Sequence, residues 1–238
     1  MPIVFEALNE FKSAIEEVNA LLNLACEHER LSYNAILKSA ILLLSAKVEA
    51  FLEDILKEYI EKINALKLGR KIPSELTLQH LVHKIKQAKQ ITEQLDSITK
   101  KQGTREDKYD SMVTLFISLS ELLRGNVIDI DNLKIPISFD YGKHGANAIE
   151  RLFVLIGIDN VFDILNVMSV EISNINIKEQ INTLIDLRNP IIHRDEDTGL
   201  TVKDVDGYVQ VMKLFADKST ELLTICLICI NYNKRKVI

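Results

Sequence analysis

Residues Ser45 to Ile60 read SAKVEAFLEDILKEYI. Taken with the residues just before them, they set Ile41, Leu44, Val48, Phe51, Ile55 and Tyr59 three or four positions apart. At 3.6 residues per turn, all six fall on one side of a helix. The pattern runs from Asn34 to Leu66 and stops at Leu68-Gly69, a helix-ending signal. Ahead of it, Phe5, Leu8, Phe11, Ile15, Val18 and Leu22 recur at the same spacing with Glu and Lys between them, which predicts a first long amphipathic helix over Phe5 to Leu31. Two helices of this length can lie side by side.

The same reading carries through the rest of the chain. Ile72-Pro73-Ser74 opens a third helical region that runs to about Ile98, and Gly103 interrupts before a helix from Asp107 to Leu123. Between Gly125 and Gly145 the spacing fails, and β-branched residues, Pro136 and glycines predict a loop with a short extended piece. Helical spacing resumes over Ala146 to Ile156, Val161 to Val167, Ile177 to Leu187 and Val202 to about Asn233. The expectation is an all-α fold, a bundle of long antiparallel helices with a helical and loop insertion. Residues 1–238 form one domain in this reading, and residues 70–170 are the insertion between an N-terminal and a C-terminal helix pair.

Composition agrees. The 238 residues are 47% hydrophobic, enough for a substantial core, with only eight glycines, four prolines and no tryptophan. A net charge of -5 argues against a protein that coats nucleic acid by bulk electrostatics, though it leaves room for a local basic groove. Three cysteines make no disulfide framework, and MPIVFEALNEFK has no basic-then-apolar leader pattern. The longest late apolar run, LLTICLICI (222–230), is far short of the roughly 20 residues a membrane span needs. A soluble, cytoplasmic protein is expected.

One stretch carries chemistry. LRNPIIHRD, Leu187 to Asp195, places Arg188 and His193 five apart, about 140° around an unbroken helix. Pro190 lacks an N–H and disfavours helical dihedrals at Asn189, so a break is expected there, with Asn189 capping a new turn. Such a break would swing the arginine and the histidine toward one cleft. A fixed cation with a forked donor array suits a phosphate, and an imidazole moves protons near neutral pH. Together they suit cleavage of RNA by its own 2′-hydroxyl, which needs a base, an acid and a charge stabiliser but no metal. Spacing alone decides nothing: with eight arginines and five histidines, any fixed gap is matched by chance about 0.2 times.

LIDLRNPIIHRD resembles the arginine–histidine motif of the HEPN superfamily, small α-helical domains found in prokaryotic ribonuclease toxins and phage-defence proteins. The earlier helix, with Ser45, Glu49, Phe51 and Leu52, is similar to a serine, glutamate, aromatic, aliphatic pattern of the RiboL-PSP branch and a neighbouring branch. KHGANAIERLFVLIGI (143–158) also looks like a segment of that branch. The resemblance implies a metal-independent endoribonuclease, without cofactor, whose homodimer brings two motifs across one cleft. Arg188 would polarise the scissile phosphate, His193 would transfer protons, Asn189 would orient one of them, and Glu49 matches the family's acid. A toxin or anti-phage role with an antitoxin partner follows from the same resemblance. The alternative it leaves open is a catalytically inactive helical interaction module.

Weaker signals are set beside bland readings. Glu53 and Lys57 fit an i to i+4 surface pair. His80, His83, Lys84, Lys86 and Lys89 form a basic strip, read either as an RNA path or as a solvated helix face. The two histidines lack the further ligands a metal site needs. Tyr141 to Gly145, with Lys143 and His144, precedes a helix and offers an anion contact; Arg194 is a further RNA-binding candidate. Cys226, Cys229 and Cys26 are read as core residues. Val209, Met212 and Phe215, or the first two helices, are expected at a twofold interface.

Overall fold

The computed structural model describes residues 3–27, 30–66, 74–98, 113, 117, 133–137, 145–170, 175–194 and 199–235. Within them the elements are α1 (Glu6–Ala25), α2 (Arg30–Ala65), α3 (Ser74–Ile98), α4 (Gly145–Leu155), α5 (Val161–Ser169), α6 (Ile177–Arg194) and α7 (Val202–Arg235). The described elements are all helical, and the fold is all-α. The helix expected over Asp107 to Leu123 lies outside the described residues except at Val113 and Ile117, which are helical. The loop expected over Gly125 to Gly145 is described only at 133–137 and Gly145. No helix among the described residues is long and apolar enough to cross a membrane.

The chain divides into two compact units. The first comprises Met1–Tyr59, Ile137–Val154 and Ile158–Cys229; the second comprises Ile60–Pro136, Leu155–Gly157 and Ile230–Ile238.

In the first unit, α1 buries the stripe that periodicity marks: Phe5, Phe11, Ile15, Val18 and Leu22 are at most 5% exposed. It ends at Ala25, and α2 begins at Arg30, so the first helix is shorter and the second longer at its start than the spacing predicts. Glu58 bonds the otherwise orphaned amides of Glu6 and Ala7, each at 3.1 Å. Phe11 meets Phe51 at 5.0 Å between ring centroids, and Lys47 pairs with Glu17 at 3.0 Å. Because later positions on α1 meet earlier ones on α2, the two helices are antiparallel. The pairs between α2 and α7 run the other way: the Val202 N–H donates to the Tyr33 hydroxyl, Phe51 meets Phe215, and Cys226 lies beside Tyr59. Those two helices are parallel.

A chain of rings ties four helices together. Phe11 packs on Phe51, Phe51 meets Phe215 edge-on at 6.5 Å, and Phe215 stacks with Phe162 at 6.3 Å. α2 lies at the centre because it is buried on more than one face. Ile41, Leu44, Val48, Phe51, Ile55 and Tyr59 form one stripe, and Ser45, Glu49, Leu52 and Leu56 form another. Val209, Met212 and Phe215 are wholly buried within the chain, so they belong to its own core and not to an interface as expected. The cysteine expectation also changes. Cys26 and Cys229 are exposed, and only Cys226 is partly covered, its thiol pushed up by burial. The helical spacing that marks 222–230 as apolar does not say which residues of the run face outward.

In the second unit, residues 133–136 form an extended stretch in which Leu133 and Ile135 are buried and Lys134 and Pro136 are exposed, the alternation of a strand. The Asn64 side chain clamps Leu133 at both backbone groups, accepting its N–H at 2.7 Å and donating to its carbonyl at 3.2 Å.

Candidate active site

The motif-bearing helix α6 is held at its start. Asn176 accepts the Glu179 N–H at 3.2 Å, a helix-capping bond. Asn166 of α5 takes the Ile177 N–H at 3.2 Å, and Lys178 pairs with Glu150 of α4 at 2.8 Å. One turn further, Asn182 reaches α4 and accepts the Ala146 N–H at 3.0 Å. The contacts Lys178–Glu150 and Asn182–Ala146 run in opposite senses along the two helices, so α4 and α6 are antiparallel. The Ala146 amide, in the first turn of the helix that the sequence offers to an anion, is therefore bonded to a neutral side chain. Lys143 and His144, the cation and imidazole expected beside it, lie outside the described residues.

Gly145 sits where this contact is tightest. Its φ is +44°, and a Cβ added there would stand 2.6 Å from the Asn182 Oδ1. Gly145→Ala is expected to destabilise the protein by about 2 kcal/mol, combining a left-handed alanine with a displaced helix cap. Thermal unfolding of the variant should begin several degrees lower; an unchanged midpoint would refute the contact.

Pro190 does not end α6. The helix continues to Arg194 with the proline inside it, against the expected break. The cause is the buried stripe: Ile177, Ile181, Leu184 and Ile191 share one face, and packing of Ile191, 6% exposed, carries the helix across the missing hydrogen bond. Arg188 lies four residues after Leu184 and three before Ile191, so it falls within that stripe and is half-buried. His193 and Arg194 are exposed. In a continuous helix the arginine and the histidine point about 140° apart, and the intrachain cleft expected from a bend does not form.

The charge of Arg188 acts instead on Glu49. This residue is 4% exposed, and burial raises its carboxyl above the ordinary value, an effect opposed by the Arg188 charge and reinforced by Glu53. Its Oε1 has no hydrogen-bond partner, nor does the Ser45 hydroxyl one turn earlier. Both line a cavity of about 20 Å³ with Val48 and Leu52 of α2, Ile149 of α4, Ile181, Leu184 and Ile185 of α6, and Met212 of α7. Asn189, one turn beyond Ile185, also buries an unbonded Oδ1. Orphaned polar atoms in a native core are uncommon and call for a reason. The Glu53–Lys57 pair expected on the surface is present at 3.1 Å.

A folded-state carboxyl raised above its unfolded value contributes stability that is complete below the unfolded value and lost as pH rises through the folded one. Glu49→Gln removes that loss. The variant should melt a few degrees above the parent at pH 8, with the gap closing toward pH 4.5. Parallel curves across that range would contradict a penalised charge at position 49.

His80, expected on a basic strip, is 5% exposed, and its Nδ1 accepts the Lys134 N–H at 2.9 Å. Among the described residues, no three His, Cys, Asp or Glu side chains gather as a metal set. Sequence reasoning did not single out Asn182, Asn166, Asn64 or Lys134. Only the last had a trace, the alternation around Lys134.

A sequence model of the RiboL-PSP-HEPN family matches residues 8–224, which spans both Glu49 and the Arg188–His193 motif. The chain belongs to the RiboL-PSP-HEPN family. No curated protein and no solved structure matches it. Within this HEPN chain, the matched range also takes in α3 and the extended stretch at 133–136.

Proposed function

We propose that this HEPN protein is an endoribonuclease that cleaves RNA without a metal and acts as a homodimer. The observation that supports this most is the pairing on the motif helix of a sheltered guanidinium, Arg188, set beside the buried Glu49, with an imidazole, His193, left in water. The charges of Glu49 and Arg188 attract one another, and Asn189 helps orient the guanidinium. The exposed His193 is open to a bound substrate.

In the proposed reaction a base removes the proton of the RNA 2′-hydroxyl, and the freed oxygen attacks the adjacent phosphorus. The bond from phosphorus to the 5′-oxygen breaks, and an acid protonates that oxygen. A 2′,3′-cyclic phosphate and a 5′-hydroxyl result. Arg188 balances the charge that builds on the phosphorane. One His193 cannot be base and acid in the same instant at both positions, and a second copy of the chain supplies the other. Lys143, His144 and Arg194 are the proposed contacts for the flanking RNA. A toxin or phage-defence role, with an antitoxin partner, belongs to this reading.

The test is purified protein incubated with RNA in EDTA. Fragments ending in 2′,3′-cyclic phosphate, formed by a species of twice the chain mass, support the proposal; intact RNA or a strict monomer rejects it. One observation favours a second reading, an inactive helical interaction module: α6 runs unbroken through Pro190, which separates the two motif side chains around its axis. In that case RNA stays whole at every enzyme concentration.

A further inference from the structure

The second unit carries a cationic face that shares no residue with the Arg188 site. On α3, Leu76 to Gln90 contains Lys84, Lys86, Lys89 and two histidines, and no Asp or Glu, in a chain of net charge -5. The extended stretch adds Lys134 to this group. Three hydrogen bonds hold it: the two from Asn64 to Leu133, and the one from the Lys134 N–H to the His80 Nδ1. With Leu133 and Ile135 buried, the alternation turns Lys134 outward.

The charges that act on the two imidazoles show how closely these groups gather. Burial comes first in holding His80 and His83 below the ordinary histidine value. After it, the charges are all cations: Lys84, His83 and Lys134 on His80, and Lys84, Lys134 and Lys86 on His83. Lys84, Lys86 and Lys134 make no ion pair among the described residues. Gathering like charges with no carboxylate paired to them among the described residues opposes folding, and fixing one of them there through its backbone adds to the concentration of charge. Lys84, Lys134 and Lys86 all act on His83 from two separate segments of chain, a spread of cations that suits the successive phosphates of a polymer better than a single small anion.

We propose that this face is a second, non-catalytic RNA site, in which Lys84, Lys86 and Lys134 hold the phosphate backbone. It rests on the reading that RNA is the polymer this protein handles, but not on the chemistry at Arg188 and His193. Binding here is electrostatic and blind to sequence, and it raises the local concentration of substrate.

The experiment measures fluorescence anisotropy of a labelled 2′-O-methyl oligouridylate, which has no free 2′-hydroxyl to attack, with the full-length protein. Lys84→Glu with Lys134→Glu should weaken binding at least tenfold at 50 mM salt. It should also lower the slope of log affinity against log salt by about 1.4, roughly 0.7 for each single-strand phosphate that a lysine no longer neutralises. Lys84→Gln with Lys134→Gln should move both readouts in the same direction by less, and far-UV melting should show both variants folded. Lys12→Gln, which removes a surface cation paired with Asp217 in the other unit, should stay within twofold of the parent. Unchanged affinity and slope in the folded glutamate variant would overturn the site, as would displacement of the RNA by an equal concentration of polyglutamate, which would point to an acidic polypeptide. RNA that binds through these lysines yet is never cut removes the nuclease reading and leaves this one; RNA that is cut with unaltered binding in the lysine variants does the reverse.

Discussion

Replacing His193 with alanine is expected to lower RNA cleavage by about 10²- to 10⁴-fold, the range for loss of a proton-transferring group, while leaving thermal unfolding where it was. The asymmetry follows from position. The imidazole is exposed at the end of α6, so no packing goes with it. Arg188→Ala should cost activity too, but by a different route and with a stability change, because its half-buried guanidinium is the charge that acts on Glu49. Initial rates on a labelled RNA, with melting curves for both variants, separate the two. An alanine at 193 that cleaves at the parent's rate would remove the histidine from the mechanism.

The largest effect on stability is expected at Phe215. Its ring is wholly buried and joins Phe51 to Phe162, so Phe215→Ala empties the point where α2, α5 and α7 meet. Such truncations cost about 3–5 kcal/mol, which for a chain of this size lowers the unfolding midpoint by roughly 10 °C. The same variant checks the place of Phe215 in the core. An unchanged midpoint would put the ring outside the core.

The fold was largely legible because the stripes that bury α1 and α2 are carried by apolar residues at unbroken helical spacing. Phe11, Phe51 and Tyr59 could be assigned to the interior before any contact was seen. Helix ends were less readable. The turn at Cys26 and Glu27 sits in a run whose pattern continues past it, so periodicity carried the first helix to Leu31 when it stops at Ala25. The site was legible in identity and not in arrangement. Proline chemistry predicts a break at 190, yet Ile191 finds a buried place that keeps the helix going, and local propensity yields to tertiary packing. Asn182 was invisible for a related reason: a polar residue in a polar position signals nothing until its partner, the amide at Ala146, is brought across from another helix.

The proline that α6 absorbs leaves a mark on how that helix moves. Position 190 supplies no amide, so the Asp186 carbonyl loses its rung in the ladder. The final turn, Ile191 to Arg194, lies beyond that gap and buries Ile191. It is thus the part of the rod that tilts most cheaply, a rudder whose blade is the imidazole. Small changes in its angle steer where the His193 ring points without disturbing the shaft behind it.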